Sequence, residues 1–283
     1  MAQILDGKQV VTSLNEKLRA EVARLKGEGV TPTLAIVRLG ERPDDVSYER
    51  GAMRRAETVG VAVRQFILPA KTAQQELLEL IRRINEDETI SGLLLFRPLP
   101  QHIDEETVRN AISPLKDVDG ITDLSLAGVF TGSGRGYPPC TAQACLETLD
   151  HYGIELKGKR VVMIGRSLVV GKPLAMMLLA RHATVTICHT RTVDMPALCR
   201  QAQIVIAAAG KAGVVGGDFF SAGQIVLDVG INVDEAGNLC GDVDFAAAEQ
   251  VVQAITPVPG GIGTVTTSVL LKHVIAAAVK DPV

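Results

Sequence analysis

The sequence predicts two α/β domains, of which the C-terminal one is a Rossmann-type, doubly wound parallel sheet. Three observations support this fold class. The chain has 283 residues, and at about 150 residues per domain that length corresponds to roughly two domains. Apolar runs of strand length alternate with amphipathic helical segments in both halves, which is typical of βαβ units. A Gly/Pro-rich stretch over residues 130–140 separates the halves, so we place the domain boundary at residue 140.

The first predicted domain, residues 1–140, alternates strands and helices. Apolar residues spaced three and four apart predict its first helix, while Pro43 precedes a helix that Gly60 ends. The apolar run Gly92–Phe96 is typical of a buried parallel strand, and the prolines of Arg97-Pro98-Leu99-Pro100 end it. The expected elements are helices over 9–27, 48–59 and 72–84 and strands over 34–39, 61–68 and 92–96.

The second predicted domain, residues 141–265, repeats this order. It opens with a helix over about 141–152. Apolar strands are expected over 161–164, 183–188, 204–208 and 225–228, with a helix through Ala180 after the first of them. A last helix, within residues 266–283, is long enough to return and pack on the first domain.

The composition excludes several classes of protein. Apolar residues make up 47% of the chain and charged residues 22%, so it can bury substantial cores. The net charge of -3 provides no overall field for nucleic acid or an anionic membrane. The N-terminus lacks a basic region followed by an apolar one, and no apolar run approaches the roughly 18 residues of a spanning helix. We expect a cytoplasmic protein without a membrane or nucleic-acid partner.

No metal site is expected from the cysteines and histidines. The cysteines are odd in number and form no Cys-x-x-Cys pair, so reduced thiols are expected. The histidines are scattered, which favours surface or hydrogen-bonded polar positions for them. These residues are Cys140, Cys145, Cys188, Cys199 and Cys240, with His102, His151, His182, His189 and His273.

The turn after the strand over 161–164 is a candidate nucleotide-binding turn. It begins at Gly165 and ends with Gly171-Lys172-Pro173, between a predicted strand and a predicted helix. A dinucleotide-binding fold needs a tight turn here, with backbone N–H groups and a helix N-terminus facing the pyrophosphate. The turn matches G-x-G-x-x-G only at Gly165 and fails the Walker pattern. An ordinary strand-to-helix turn therefore remains an alternative.

The next strand ends where a contact to the cofactor ribose is expected. Sites selective for NAD commonly place an acidic residue there, whereas this chain has His189-Thr190-Arg191-Thr192. Two hydroxyls with an arginine and a histidine suit a 2′-phosphate dianion. NADP is therefore preferred over NAD, with a solvated, helix-capping role for Arg191 as the alternative.

Several motifs together resemble the methylenetetrahydrofolate dehydrogenase/cyclohydrolase (FolD) family, in that family's order and over nearly the whole chain. They are Lys116-Asp-Val-Asp-Gly120, Pro139-Cys-Thr141, Gly165-Arg-Ser-x-x-Val-Gly-x-Pro173, Asp228-Val-Gly-Ile-Asn232 with Gly241-Asp-Val243, and Thr256-Pro-Val-Pro-Gly-Gly-Ile-Gly263. The resemblance implies two α/β domains with a cleft between them, NADP on the C-terminal domain and a folate between the two. It also implies a cytoplasmic homodimer that oxidises 5,10-methylenetetrahydrofolate to the 5,10-methenyl form and usually hydrolyses that to 10-formyltetrahydrofolate.

The resemblance further implies roles for single residues. Arg166 and Ser167 would contact the cofactor phosphates, and Ile231 would touch the nicotinamide side. Asp119 would accept hydrogen bonds from the pterin, although alone it could be a turn carboxylate. Pro259-Gly260-Gly261 would form a wall beside the substrate, and alone it could be a tight bend. The candidate catalytic residues are Tyr48 and Asp119; the substrate-binding ones are Tyr48, Ala52, Pro98, Leu99, Asp119, Pro259, Gly260, Gly261 and Gly263; the cofactor-binding ones are Gly165, Arg166, Ser167, Gly171, Pro173, His189, Thr190, Arg191 and Ile231.

The chain departs from the family at two positions that matter for hydrolysis. The family's Tyr-x-x-x-Lys places both side chains on one helix face, but here Tyr48 is followed by Ala52. The family's glutamine in Gln-Leu-Pro-Leu-Pro is replaced by Phe96. Loss of both partners suggests that a polar network was removed as a unit. We therefore expect a dehydrogenase whose cyclohydrolase activity is weak or absent, because hydrolysis needs a tunable base.

Three alternatives remain open at this point. In the first, the enzyme is fully bifunctional and Arg97, Arg50 or another group replaces the lysine. The second is a folate- or NADP-binding protein without turnover. The third is a dehydrogenase for another small substrate, such as a keto acid clamped by Arg97 and Arg54, although Asp119 and Tyr48 favour a pterin.

Overall fold

The computed structural model describes residues 1–279. Residues 280–283 of the predicted C-terminal helical segment lie outside the described residues. The helices are α1 Gly7–Gly27, α2 Pro43–Val59, α3 Gln74–Glu86, α4 Glu105–Asn110, α5 Asp123–Thr131, α6 Cys140–His151, α7 Gly171–Ala180, α8 Met195–Gln201, α9 Phe245–Glu249 and α10 Ile262–Ala278. The strands are β1 Gln3–Ile4, β2 Thr33–Leu39, β3 Ala62–Leu68, β4 Gly92–Leu95, β5 Arg160–Ile164, β6 Thr184–Cys188, β7 Ile204–Ala207, β8 Ile225–Asp228, β9 Asn232–Val233, β10 Leu239–Cys240 and β11 Ala254–Ile255.

The chain divides into two α/β units. One contains Ser13–Cys140 together with the chain from Thr267 onward, and it is called the three-stranded unit below. The other contains Met1–Thr12 and Thr141–Thr266, and it is called the six-stranded unit. The predicted fold class, two α/β domains with a parallel sheet in the C-terminal one, is confirmed.

The assignment of residues 1–140 to the first domain is wrong for its first twelve residues, which belong to the six-stranded unit. The reason is strand pairing. Strand β1 runs parallel to β11, with Gln3 opposite Ala254 and Ile4 opposite Ile255. A strand of two residues carries too little periodicity for its sequence to predict this pairing.

The three-stranded unit contains a parallel sheet in the order β3-β2-β4. The central strand β2 is buried at every residue, as a parallel strand covered on both faces should be. Helix α3 packs on this sheet with four apolar residues at helical spacing: Leu77, Leu80, Ile81 and Ile84. Val37 of β2 lies opposite Leu95 of β4, so the loops that follow these two strands start at the same edge of the sheet. Those loops lead to α2 and to Arg97–Pro100.

The six-stranded unit contains a parallel sheet in the order β1-β11-β8-β7-β5-β6. The chain passes from β5 to its neighbour β6 on one side and then crosses from β6 to β7 on the other side of β5, which reverses the strand order. In open α/β sheets, ligands bind at the carboxyl ends of the strands beside such a reversal. The turns that follow β5, β6, β7 and β8 all start at that edge, and they include the predicted cofactor-binding residues.

No helix among residues 1–279 has the length and apolar character needed to cross a membrane.

Candidate functional site

The turn between β5 and α7 is built from backbone in close contact. Gly165 has a φ of +120°, and a Cβ at this position would lie 2.2 Å from the carbonyl oxygen of Ala208. A Cβ on Gly171 would lie 2.3 Å from the carbonyl oxygen of Gly165. Both positions therefore admit only glycine, because the backbone of the turn packs directly against other backbone atoms.

The side chain of Ser167 fixes the end of this turn. Its Oγ accepts a hydrogen bond from the Val170 N–H at 3.1 Å, and its carbonyl accepts one from the Lys172 N–H at 3.0 Å. Pro173 is buried in the first turn of α7, where proline costs no helical hydrogen bond. Arg166 and Ser167 are exposed, so the guanidinium and the hydroxyl are accessible to an anion at the start of α7.

The loop after β6 is held by its own side chains. The His189 N–H donates to Oγ1 of Thr192 at 2.9 Å, and the Arg191 N–H donates to Nδ1 of His189 at 3.1 Å. The His189 ring nitrogen is therefore an acceptor here, while the side chains of Thr190 and Arg191 are exposed. Because Ile164 of β5 lies opposite Cys188 of β6, this loop starts beside the Gly165 turn.

Two buried carboxylates connect the remaining loops of this edge. Asp242 accepts hydrogen bonds from the N–H groups of Ala209, Gly210 and Lys211 at 2.5, 3.0 and 2.8 Å. Asp228 accepts three, from the N–H groups of Gly230, Asp242 and Val243, each at 3.0 Å. Burial raises the pKa of Asp228 to about 6, although the three N–H groups lower it. Neither carboxylate was assigned a role from the sequence, although both stand in the quoted motifs.

Ile231 lies between these two carboxylates in the sequence and is exposed. Its Cδ1 lies close to Gly263, where an added Cβ would be 3.0 Å away. The wall segment itself is anchored through Gly260, whose carbonyl accepts a hydrogen bond from the Gly7 N–H at 2.8 Å. A Cβ on Gly261 would lie 2.3 Å from the carbonyl oxygen of Pro257. This close contact makes the segment dependent on glycine. Pro259 is exposed and follows a cis peptide bond.

Asp119 lies in the three-stranded unit on a turn packed against residues 137–140. Burial, together with the charge of Asp117, raises the pKa of Asp119 to about 6, while the positive charge of Arg97 and the neighbouring Cys140 thiol lower it. The same surroundings raise the pKa of the buried Cys140 thiol well above its usual value, so that thiol is a hydrogen-bond donor. Asp119 is partly exposed, which leaves its carboxylate accessible to a ligand with donors.

Tyr48 and Phe96 are brought together. Their ring centroids are 5.7 Å apart at 79°, an edge-to-face contact between α2 and the loop after β4. Ala52, one helical turn after Tyr48, is fully buried, and Phe96 is 8% exposed. The two positions where the resemblance implies lysine and glutamine thus hold buried, apolar side chains.

Three arginines were considered as substitutes for the lysine that the resemblance implies. One of them is paired with a glutamate, and the other two are exposed on the surface. Arg97 lies 3.3 Å from Oε1 of Glu105, and Oε2 of the same glutamate accepts the Leu99 N–H at 3.0 Å. Pro98 is exposed, and the peptide before it is cis. Arg50 and Arg54 are exposed on α2. Glu105 was not predicted, and no sequence pattern pointed to it.

A buried ion pair next to the Tyr48 helix was also missed. Nε of Arg38 on β2 lies 2.6 Å from Oε2 of Glu49 on α2, and both side chains are about 5% exposed. Gln65 on β3 donates to the same carboxylate. This pair fixes α2 against the sheet, because removing one partner would leave a buried charge. Within residues 1–279, no three His, Cys, Asp or Glu side chains group as metal ligands would.

Comparison with known proteins identifies one family over most of the chain. Residues 5–119 match the catalytic domain of the tetrahydrofolate dehydrogenase/cyclohydrolase family, and residues 139–281 match its NAD(P)-binding domain. The bifunctional protein FolD of Clostridioides difficile (strain 630) is 48% identical over 275 residues, which are 97% of this chain and 96% of that protein.

Solved structures of this family share the fold of this chain over nearly its whole length. The bifunctional FolD of Campylobacter jejuni superposes with a TM-score of 0.95 at 37% identity, covering 98% of this chain and 99% of that one. FolD of Trypanosoma brucei, complexed with NADP and an inhibitor, superposes with a TM-score of 0.91 at 35% identity, covering 98% and 97% of the two chains. By sequence and by fold, this chain belongs to the tetrahydrofolate dehydrogenase/cyclohydrolase family of enzymes.

Proposed function

We propose that this enzyme oxidises 5,10-methylenetetrahydrofolate to 5,10-methenyltetrahydrofolate with NADP, and that its cyclohydrolase activity is weak or absent. One observation carries the proposal. The chain retains the residues that are expected to bind the cofactor and the pterin. At the two positions where side chains that activate water are expected, it has the buried, apolar Ala52 and Phe96. As the resemblance implies, we also propose a cytoplasmic homodimer, with residues 141–265 as the cofactor domain.

The residues present fit a dinucleotide. A Cβ at Gly165 or Gly171 would clash with a backbone carbonyl oxygen, so the chain can make this tight turn only with glycine at both positions, as the turn of a pyrophosphate site requires. NADP, when bound, supplies the hydride acceptor. Arg166 and Ser167 are assigned to its phosphates, and Ile231 to the nicotinamide side.

The preference for NADP is assigned to the loop after β6. The hydrogen bonds within His189–Thr192 fix its backbone and leave the Thr190 and Arg191 side chains exposed. In the described part of the chain, no carboxylate forms an ion pair with Arg191, so its fork of donors is available to a phosphate dianion. The relative from Trypanosoma brucei is complexed with NADP, which supports this assignment.

The pterin is assigned to Asp119. The 2-amino-4-oxo ring presents N–H donors, and an ionised carboxylate accepts two of them side by side. Tyr48 is held against Phe96 and is assigned to the substrate side of α2. Pro98 and Leu99 are proposed to line the same substrate site, with Pro259, Gly260, Gly261 and Gly263 as the backbone wall. Ala52, which was expected to bind substrate, is fully buried and presents no surface to a ligand. In this scheme the residues bind and orient the folate, which is sufficient for hydride transfer.

Hydrolysis of the methenyl group makes a further demand. A water must lose a proton to a base whose pKa lies near the working pH. Ala52 and Phe96 cannot provide or support such a base, and an arginine would be a poor one because its pKa exceeds about 12. Arg97 is moreover paired with Glu105. The methenyl product would therefore leave the enzyme and be hydrolysed elsewhere.

A fully bifunctional enzyme is the second candidate. The observation in its favour is that relatives 48% identical to this chain are named bifunctional proteins. A binding protein without turnover is the third, and it is disfavoured because the cofactor turn and the Pro-Gly-Gly segment are both retained.

A spectrophotometric time course with 5,10-methylenetetrahydrofolate distinguishes these candidates. NADP and NAD are tested separately, and the reduced cofactor and the methenyl product are followed together. We expect both to accumulate in equal amounts with NADP, with methenyl decaying no faster than in an enzyme-free control. Reduced cofactor without lasting methenyl would establish the bifunctional enzyme. Folate binding without reduction of either cofactor would establish the binding protein.

A further inference from the structure

Two hydrogen-bond donors from distant segments converge on the carbonyl oxygen of Val118. Nδ1 of His273, on α10, lies 2.8 Å from this oxygen, and Sγ of Cys140, at the start of α6, lies 3.3 Å from it. Since a carbonyl oxygen only accepts, Nδ1 carries the ring proton and donates. His273 is 6% exposed and Cys140 is 3% exposed, so water is a poor substitute for either donor.

The carbonyl group of Val118 belongs to the peptide unit that leads into Asp119. That unit is planar, so fixing the direction of its C=O also fixes the N–Cα bond from which the Asp119 side chain is oriented. If the carbonyl lost its donor, the peptide plane could rotate, and the Asp119 carboxylate would change direction. The hydrogen bond from His273 therefore acts on Asp119 through a single peptide unit.

The chain after Asp119 is fixed independently. The Asp117 carboxylate accepts the N–H groups of Ile121 and Thr122 at 3.0 and 2.8 Å. A Cβ on Gly120 would lie 2.5 Å from the carbonyl carbon of Pro138, so the following backbone has no room to move. The direction of the peptide before Asp119 is set by the hydrogen bonds that the Val118 carbonyl accepts from His273 and Cys140.

The ring of His273 is itself held in place. It stacks on Tyr137, with centroids 5.1 Å apart and planes inclined by 31°. A thiol is a weak donor, so the imidazole supplies the stronger of the two hydrogen bonds to Val118. Tyr137 and Cys140 come from the chain segment packed on Gly120, whereas His273 comes from the C-terminal helix.

We propose that His273 is a positioning residue for Asp119, acting through the Val118 carbonyl to orient the carboxylate toward the pterin. This inference rests on the proposed function, in which Asp119 binds the pterin. It assigns to the C-terminal helix a part in folate recognition that its sequence alone did not indicate.

The test is a double-mutant cycle with full-length enzyme, measuring kcat and the KM values for 5,10-methylenetetrahydrofolate and NADP. His273→Leu keeps the bulk but removes the donor, and we expect the folate KM to rise roughly tenfold with the NADP KM unchanged. His273→Asn restores an N–H donor near the position of Nδ1, and its folate KM should stay within about threefold of the parent. In an Asp119→Asn background, His273→Leu should change the folate KM less than about twofold.

The outcomes separate the two levels of the proposal. An equal rise in folate KM in both backgrounds, or no rescue by His273→Asn, would overturn the positioning role. An Asp119→Asn enzyme with an unchanged folate KM would instead overturn the assignment of Asp119 to the pterin. The matched control is His151→Leu, which removes an exposed histidine of the six-stranded unit. If His273→Leu does not fold, Tyr137→Leu enters the same cycle with an expected rise of about threefold, because the donor remains but its stacking partner is lost.

Discussion

The two units form their candidate sites by different means. In the six-stranded unit the cofactor turn is defined by backbone, since Gly165 and Gly171 have no room for a side chain and Asp242 holds the next loop by accepting its N–H groups. In the three-stranded unit the substrate residues are side chains that project from a helix and two turns, among them Tyr48 and Asp119. A site made of backbone depends on a few glycines. Where a site is made of side chains, substitution of one of them can abolish one step of the reaction while the fold of the unit stays the same.

The departures from the family that the resemblance implies follow this division. Ala52 and Phe96, which we propose replace two polar groups, both lie in the three-stranded unit. Phe96 packs edge-to-face on Tyr48, and Ala52 is fully buried. Paired removal of polar groups avoids a half-satisfied network, which would cost stability. The comparison leads to predictions that test each unit separately.

The largest effect is expected for Gly165→Ala. The new Cβ would lie 2.2 Å from the Ala208 carbonyl oxygen, in a backbone conformation that alanine rarely adopts. The turn must shift, and we expect NADP affinity to fall on the order of 100-fold or more, because such a shift costs a few kcal/mol. The measurement is titration of the reduced cofactor by its fluorescence, which the chain's lack of tryptophan leaves free of overlap.

Gly158→Ala is the matched control for this variant. It also has a positive φ, of +74°, but no atom lies within 4 Å of its added Cβ. It should lose some stability and keep its NADP affinity. Equal NADP affinity in the two variants would contradict the placement of the cofactor on the Gly165 turn.

The second prediction concerns the double variant Ala52→Lys with Phe96→Gln. Lysine alone at a fully buried position should cost roughly 3 kcal/mol of unfolding free energy, because its ammonium group loses water without gaining a partner. Glutamine at position 96 supplies a carbonyl acceptor, so the double variant should be more stable than the single one. We expect it to hydrolyse methenyltetrahydrofolate at least about tenfold faster than the parent, since a buried lysine is a tunable base.

The control for this variant is Ala52→Met with Phe96→Gln, which has similar length at position 52 and no titratable group. Denaturant unfolding establishes whether each variant is folded, and loss of methenyl absorbance measures hydrolysis. A folded lysine variant that hydrolyses no faster than the methionine one would contradict the proposal that positions 52 and 96 limit hydrolysis.

The sequence predicted the long elements well and the short ones poorly. Helices α1 and α3 and strand β2 have enough residues for their apolar spacing to be read, and each was found within a few residues of its predicted range. Strand β1 has two residues, and its parallel partner β11 is about 250 positions away in the chain. That pairing depends on tertiary contacts, which local spacing does not encode. Because β1 pairs with β11, residues 1–12 belong to the six-stranded unit and not to the predicted first domain.

The candidate site shows the same limit. The glycines of the cofactor turn could be predicted because their conformational requirement is local. His273 could not, because its partner Val118 lies 155 positions away and a single buried histidine has no pattern. The hydrogen bonds of Asp228 and Asp242 could likewise not be predicted from the sequence, although both residues belong to the motifs on which the family resemblance rests. The roles of all these residues remain predictions until variants are measured.

The third prediction is a pH dependence confined to folate. Burial and Asp117 raise the pKa of Asp119 to about 6, so its carboxylate is protonated increasingly as the pH falls below 6. A neutral acid accepts the pterin N–H groups less well, and kcat/KM for the folate should be about one-tenth of its plateau at pH 5. Asp119→Asn should lower the plateau and remove this dependence. The same decline in the Asn variant would assign the titration to another group.

The smallest effect is expected for Arg191→Gln. Arg191 is exposed on the loop after β6, so its interaction with a 2′-phosphate is weakened by solvent and is worth about 1 kcal/mol. The ratio of kcat/KM for NADP to that for NAD should therefore fall roughly fivefold, with the value for NAD unchanged. Arg181→Gln is the matched control, because this exposed arginine of the same unit pairs with Asp150. If Arg191→Gln lowers kcat/KM equally for NADP and for NAD, the side chain stabilises the loop and does not bind the 2′-phosphate. Selectivity would then depend on backbone and hydroxyl groups, which would extend the backbone character of the six-stranded unit to its choice of cofactor.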